Sequence, residues 1–202
     1  MPQKIASLIS TLLHPLLMPF LGIITIFRSG TYISVVDPRL MNITLLIVFI
    51  LTVVLPLSII PFYSYTRLIR KVEMGSAKER LVPYFLTFVF FYVAHVIIKK
   101  LPLNYFFSIY MFASAISVLI VLIISYFWKI STHMVGIGGF IGLVISLSFR
   151  MATNLMGILI IAIILAGIIG YSRLVLNSHS PSQVYSGFGL GFFTVTFFCL
   201  VF

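Results

Sequence analysis

Polar residues along this chain come in islands, separated by long stretches with scarcely a charge. Apolar runs cover about 5–27, 40–62, 82–98, 105–128, 133–149, 154–171 and 184–202. A helix needs roughly 20 apolar residues to traverse the hydrocarbon of a bilayer, so the pattern predicts six or seven membrane-crossing helices. The first run holds His14, Pro15 and Pro19, which predict a broken or re-entrant segment. The third and fifth runs are short, and either is expected to tilt little or to lie partly inside the bundle. No small-residue cleavage pattern comes after the first run, which reads as a retained helix. The predicted fold class is all-α: a polytopic transmembrane helix bundle forming a single domain over residues 1–202.

Two connections are long. Residues 28–39 carry Arg28, Asp37, Pro38 and Arg39; residues 63–81 carry Arg67, Arg70, Lys71, Glu73, Lys78, Glu79 and Arg80, the densest charge in the chain. Gly136, Gly138, Gly139 and Gly142 in one run, and Gly187, Gly189 and Gly191 in another, predict closely packed helices. With seven crossings, the connections 63–81, 129–132 and 172–183 emerge on one face, because two crossings separate each from the next. Arg80, His133 and the segment 173–179 are therefore expected at the same membrane edge.

Composition narrows the class further. Apolar residues make up 61% of the chain and charged residues only 8%, against roughly 25% charged in a soluble domain. The net charge of +10 comes from 13 Lys and Arg against 3 acids. In a soluble protein that balance would suggest nucleic acid. Here the basic residues flank apolar runs, where they anchor helices and meet lipid headgroups, so membrane lipids are the expected partners and nucleic acid is not. Asp37, Glu73 and Glu79 form no acid cluster that would hold a divalent metal through oxygen ligands, and the lone Cys199 provides no disulfide framework.

Candidate chemistry is concentrated in three polar islands. In Tyr171-Ser-Arg-Leu-Val-Leu-Asn-Ser-His179-Ser-Pro-Ser-Gln183, Ser180 followed by Pro181 predicts a helix start. That places His179 where backbone N–H groups and the helix dipole favour an anion. Trp128-Lys129-Ile130-Ser131-Thr132-His133 is a second polar cap, leading into the Gly-rich helix. Lys78-Glu79-Arg80-Leu81-Val82-Pro83 closes the basic connection. Arginine binds phosphate oxygens with two parallel N–H donors. One imidazole can attack phosphorus while another protonates the leaving oxygen. The chemistry that fits is metal-free phosphoryl transfer through a phosphohistidine, with no cofactor. His14 and His95, inside apolar runs, read as packing residues, although His14 beside Pro15 is placed to line a broken-helix pocket.

Ser172-Arg173, five residues, then His179 resembles the third motif of the type 2 phosphatidic acid phosphatase superfamily, SRxxxxxHxxxD, and Gln183-Val-Tyr-Ser-Gly187 is similar to the stretch after that motif. Ser131-Thr132-His133 resembles the second motif, PSGH, with Ile130 for proline and Thr132 for glycine. Arg80 with Pro83 resembles a loosened first motif, KxxxxxxRP; Glu73 stands where its lysine belongs, and Lys78 or Lys71 would substitute. The motif-bearing part is about 63–202. The resemblance implies a six-helix phosphatase-like core and a metal-independent enzyme of a bacterial inner membrane. Its substrate would be a lipid phosphate or diphosphate, of polyprenyl diphosphate or phosphatidate type. It also implies His179 as nucleophile and His133 as general acid, with Arg80, Arg173, Ser131, Lys78 and the Thr132 backbone N–H on the phosphoryl oxygens. Gln183 stands where the family has Asp, the carboxylate that orients the nucleophilic imidazole. In a serine-protease triad the comparable loss of charge lowers the rate about 10⁴-fold through the wrong tautomer; an amide that offers its oxygen should lower it less.

Two other readings compete. Gln183 and the absent motif lysine and proline suit a protein that binds or transports a phosphorylated lipid without turnover. A small-solute transporter would carry ionisable groups near the bilayer midplane, whereas these lie mostly at helix ends. On sidedness, Lys4, Arg67, Arg70, Lys71, Lys78, Arg80, Lys129 and Arg173 crowd the motif-bearing face, which the positive-inside rule assigns to the cytoplasm. The resemblance points to the periplasmic side.

Overall fold

The structure, a computed structural model, describes residues 3–58 and 77–202, with side chains from Arg80 onward in the second stretch. Helices α1 (Gln3–Leu12) and α2 (Met18–Phe27) are joined through a 3₁₀ turn, Pro15–Leu17. Helix α3 (Pro38–Phe49) runs on through a π-helical stretch, Ile50–Val54. After it come α4 (Ala77–Lys99), α5 (Tyr105–Phe127), α6 (Thr132–Arg150), α7 (Met156–Val175) and α8 (Pro181–Val201), and no strand occurs among the described residues. Seven helical stretches there are long and apolar enough to cross a bilayer, counting Gln3–Phe27 and Pro38–Ser58 as one each. That is the pattern of an integral membrane protein. Residues 59–62 of the second apolar run, and Arg67, Arg70, Lys71 and Glu73 of the basic connection, lie outside the described residues.

The first span is continuous in path but broken in hydrogen bonding. Pro15 has no N–H and its ring excludes the α conformation at the residue before it, so His14 is extended at φ −64°, ψ 138°. A break in hydrocarbon must find partners for the backbone it frees. Leu17 N–H bonds the His14 carbonyl at 3.0 Å, Met18 N–H bonds the Pro15 carbonyl, and the Tyr110 hydroxyl on α5 donates to the Met18 carbonyl at 3.1 Å.

Helix α6 is the most enclosed of the seven, as a short span inside the bundle should be, while α4, the other short one, is the least enclosed. The fifth span is thus the one that lies inside the bundle.

The tightest packing is between α6 and α8, and glycine makes it possible. A Cβ on Gly191 would land on the Val135 carbonyl oxygen, and one on Gly138 would meet the Phe188 carbonyl. Backbones that approach this closely gain dispersion contacts that lipid tails cannot supply. Outside the seam, Ile160, Ile161, Ile163 and Ile164 on α7 and Phe193 and Phe197 on α8 are exposed, as lipid-facing side chains are.

Gly191→Ala must push two backbones apart, and overpacking of this kind costs about 1–3 kcal/mol; Gly157→Ala, with open space around it, should be neutral or better. Thermal unfolding of the two variants in detergent checks the contrast, and equal melting temperatures would refute the close-approach account.

Candidate functional site

Three of the predicted polar islands meet at a cavity of about 470 Å³. Its mouth is lined by Arg80 from α4, Lys129 from the connection before α6, Thr132 and His133 from the start of α6, Arg173 from the end of α7, and His179 from the turn before α8. Ser7, Ser10, Thr11 and His14 from the first span close the other side. Further along the helices its wall is made by apolar Met18, Pro19, Phe91, Val118, Val121 and Val195, with the hydroxyl residues Thr87, Tyr110, Ser114 and Ser117 among them.

The five-residue gap between Arg173 and His179 has a local cause. Helix α7 runs to Val175, past the expected end at 171, so Arg173 sits in its last turn rather than in the connection. The helix then ends in a Schellman motif: Ser178 N–H bonds the Arg173 carbonyl at 3.2 Å and Asn177 N–H bonds the Leu174 carbonyl at 2.9 Å. Asn177 is left-handed at φ 50°, a conformation that Asn tolerates better than most residues. The reversal turns the chain back so that Arg173 and His179 face one cavity. Ser172 does not join them; it is buried and donates to the Ile168 carbonyl at 2.7 Å.

His179 is held from behind. Gln183 Oε1 lies 3.2 Å from His179 Nδ1 and also accepts the Ser180 N–H at 3.1 Å. The second bond belongs to a capping box in which Ser180 Oγ accepts the Gln183 N–H at 3.5 Å. A backbone donor fixes which end of the amide faces inward. With Oε1 as acceptor, Nδ1 must carry the hydrogen, and the lone pair of the neutral ring is on Nε2. Gln183 thus sets this tautomer without a carboxylate. Burial, and next the Arg173 guanidinium, push the His179 pKa down to about 4, with Lys129 and Arg80 adding to the effect and the Gln183 bond opposing it.

Ser131, expected on the phosphoryl oxygens, is not among the cavity-lining residues. It is fully buried, its N–H donates to the Gln183 carbonyl at 3.3 Å, and its carbonyl lies against Gly187. The seam that joins the starts of α6 and α8 encloses it. Gln183 likewise acts behind His179 and not on the cavity, and the side chain of Lys78 lies outside the described residues. His95 has its Nδ1 2.9 Å from the Ser108 carbonyl on α5, as a packing histidine would.

Residues of the first span that the motifs do not include complete the site. His133 Nε2 is 3.0 Å from the Ser10 carbonyl; a carbonyl only accepts, so this nitrogen donates. Arg173 Nη1 donates to Ser10 Oγ at 3.3 Å. The signal was available: Ser7, Ser10, Thr11 and His14 recur at i, i+3, i+4 and i+7, a polar stripe on a helix that lipid alone would keep apolar.

The electrostatics are one-sided. Arg80, Lys129 and Arg173 line the cavity and, among the described residues, no carboxylate does. Arg80 is buried, and its Nε and Nη1 have no hydrogen-bond partner among the described residues. An uncompensated buried guanidinium costs several kcal/mol, so such an arrangement favours a multivalent anion with oxygens to accept those donors. No family model, no curated protein and no solved structure matches this chain.

Two measurements test this geometry. Asn177→Val places a β-branched residue in the left-handed region and should destabilise by about 1–2 kcal/mol, while Asn177→Gly should not; thermal unfolding in detergent separates them. The His179 shift also sets a pH dependence. Between about 4 and the ordinary value of 6.5 the unfolded chain binds a proton that the folded chain refuses, so its contribution to stability is intact above 6.5 and declines as pH falls towards 4. Melting temperatures across that interval should fall less steeply in His179→Gln than in the wild type; parallel curves would exclude this source.

Proposed function

We propose that this chain is a metal-independent membrane phosphohydrolase that acts on a lipid phosphate or diphosphate through a phosphohistidine. One observation carries the reading: two arginines, a lysine and a histidine with a lone pair on Nε2 line one cavity that has no carboxylate among its described residues and continues into a mostly apolar wall. The charged mouth suits a phosphate and the mostly apolar wall suits a hydrocarbon tail. On this reading the bundle is the phosphatase-like core that the motif resemblance implies, in a bacterial inner membrane.

In the first step His179 Nε2 attacks phosphorus, a P–N bond forms, and the P–O bond to the lipid breaks. For a leaving oxygen that must be protonated, His133 enters as the imidazolium and gives up its Nδ1 proton, while its Nε2–H stays on the Ser10 carbonyl. In the second step water attacks the phosphohistidine, His133 takes its proton, the P–N bond breaks and inorganic phosphate leaves. Arg80 and Arg173 hold the equatorial oxygens throughout, and this preorganised charge is the larger part of what a protein contributes to phosphoryl transfer. Gln183 holds the attacking ring in its tautomer and supplies no negative charge to the imidazolium-like product.

That missing charge favours a second reading, a protein that binds or transports a phosphorylated lipid with little or no turnover. Purified protein in detergent should release phosphate from dioctanoyl phosphatidic acid or farnesyl diphosphate with EDTA present, and His179→Ala should abolish release. Activity that EDTA removes, or that survives His179→Ala, would overturn the enzyme reading. Gln183→Asp or Gln183→Glu should raise turnover of a weakened enzyme and leave a pure binder inactive.

A further inference from the structure

His14 takes no part in the motif chemistry, yet the chain breaks its first helix at this residue. The His-Pro step holds His14 in an extended conformation, and its side chain lines the cavity together with Ser7, Ser10 and Thr11. Its ring lies edge-on to that of His133, with centroids 5.6 Å apart. The adjoining turn rests on α6, where a Cβ on Gly136 would be 3.3 Å from Pro15 Cα. His14 thus borders both parts of the cavity: His133 and Arg173 on the charged side, Met18 and Pro19 on the apolar side.

The hydrogen bonding defines what each ring can offer. His14 Nδ1 accepts the Leu16 N–H in a long bond of 3.4 Å, so in the neutral ring the hydrogen is on Nε2. His133 has the same tautomer, but its Nε2–H is engaged by the Ser10 carbonyl. His179 presents a lone pair. Of the three imidazoles on this cavity, His14 is the one whose N–H is not already assigned to a protein acceptor among the described residues.

We propose that His14 is a third histidine of the site and donates its Nε2–H to an oxygen of the bound phosphoryl group, where the charged mouth meets the apolar wall. This rests on reading the cavity as a lipid-phosphate site. No bond to His14 forms or breaks; it is a hydrogen-bond donor to the ligand, held in register by the proline break. A histidine that only capped the turn would need its Nδ1 and nothing more.

The two roles separate in substitution. Asparagine is a good cap and its Oδ1 can take the place of Nδ1, but it has no donor at the reach of Nε2; glutamine carries a donor nearer that reach. Wild type, H14N and H14Q are compared in detergent for melting temperature, for orthovanadate affinity, and for phosphate release from dioctanoyl phosphatidic acid and farnesyl diphosphate. H14N should keep the wild-type melting temperature and lose about tenfold to a hundredfold in vanadate affinity and in kcat/KM, the worth of one charge-assisted hydrogen bond. H14Q should recover part of both. Equal vanadate affinity in H14N and wild type overturns the proposal, whatever happens to turnover. If H14N melts early, H14Q decides, and affinity as low as in H14N overturns it. Wild type that binds vanadate but releases no phosphate ends the enzyme reading alone, and the same H14N comparison still tests His14. Wild type that binds no vanadate ends both.

Discussion

The close approach of α6 to α8 underlies every other feature of the site. Where Gly138, Gly187 and Gly191 face the partner helix, backbone meets backbone, and at the top of the seam the Ser131 N–H reaches the Gln183 carbonyl. This bond joins the two polar helix starts, one leading to His133 and the other coming just after His179. Lipid supplies no hydrophobic force to push helices together, so contact must come from shape and from hydrogen bonds between segments. A side chain at those glycines would separate the helices, and the two imidazoles would move apart with them.

Charge and capping then work on the same few residues. Arg80, Lys129 and Arg173 line the cavity with no carboxylate among the described residues, an arrangement that an anion would stabilise in a low-dielectric setting. The capping box at Ser180 serves the start of α8 and, through Gln183 Oε1, also orients His179. A neutral amide can therefore hold the ring as a carboxylate would, with its tautomer set by an ordinary helix-start bond. It does not replace the stabilisation that a negative charge gives to a cationic ring.

The broken first span is the part of the site with no counterpart in the three motifs. Its Ser10 meets His133 through its carbonyl and Arg173 through its hydroxyl, and its His14, at the proline break, lines the same cavity. Breaks of this kind are tolerated within a bilayer only where the freed backbone finds partners or lines a cavity; here it does both.

Much of this was legible from the sequence alone. Hydropathy is a property of consecutive residues, so six or seven spans, the start of α8 at Ser180–Pro181 and the break at His14–Pro15 arise from local chemistry. Other features depend on contacts between distant residues. Ser10 and His133 are 123 positions apart and Ser10 and Arg173 are 163 apart, and no local pattern specifies which faces of two helices will meet. Ser131 shows the limit well: its motif position suggested a ligand contact, but the glycine seam encloses it. The extension of α7 past 171 and the left-handed turn at Asn177 likewise depend on end-of-helix hydrogen bonds that hydropathy does not register. Sequence determined which polar residues stand at the ends of the spans; packing decided which of them share a cavity, because only backbone approach in three dimensions sets the direction of a side chain.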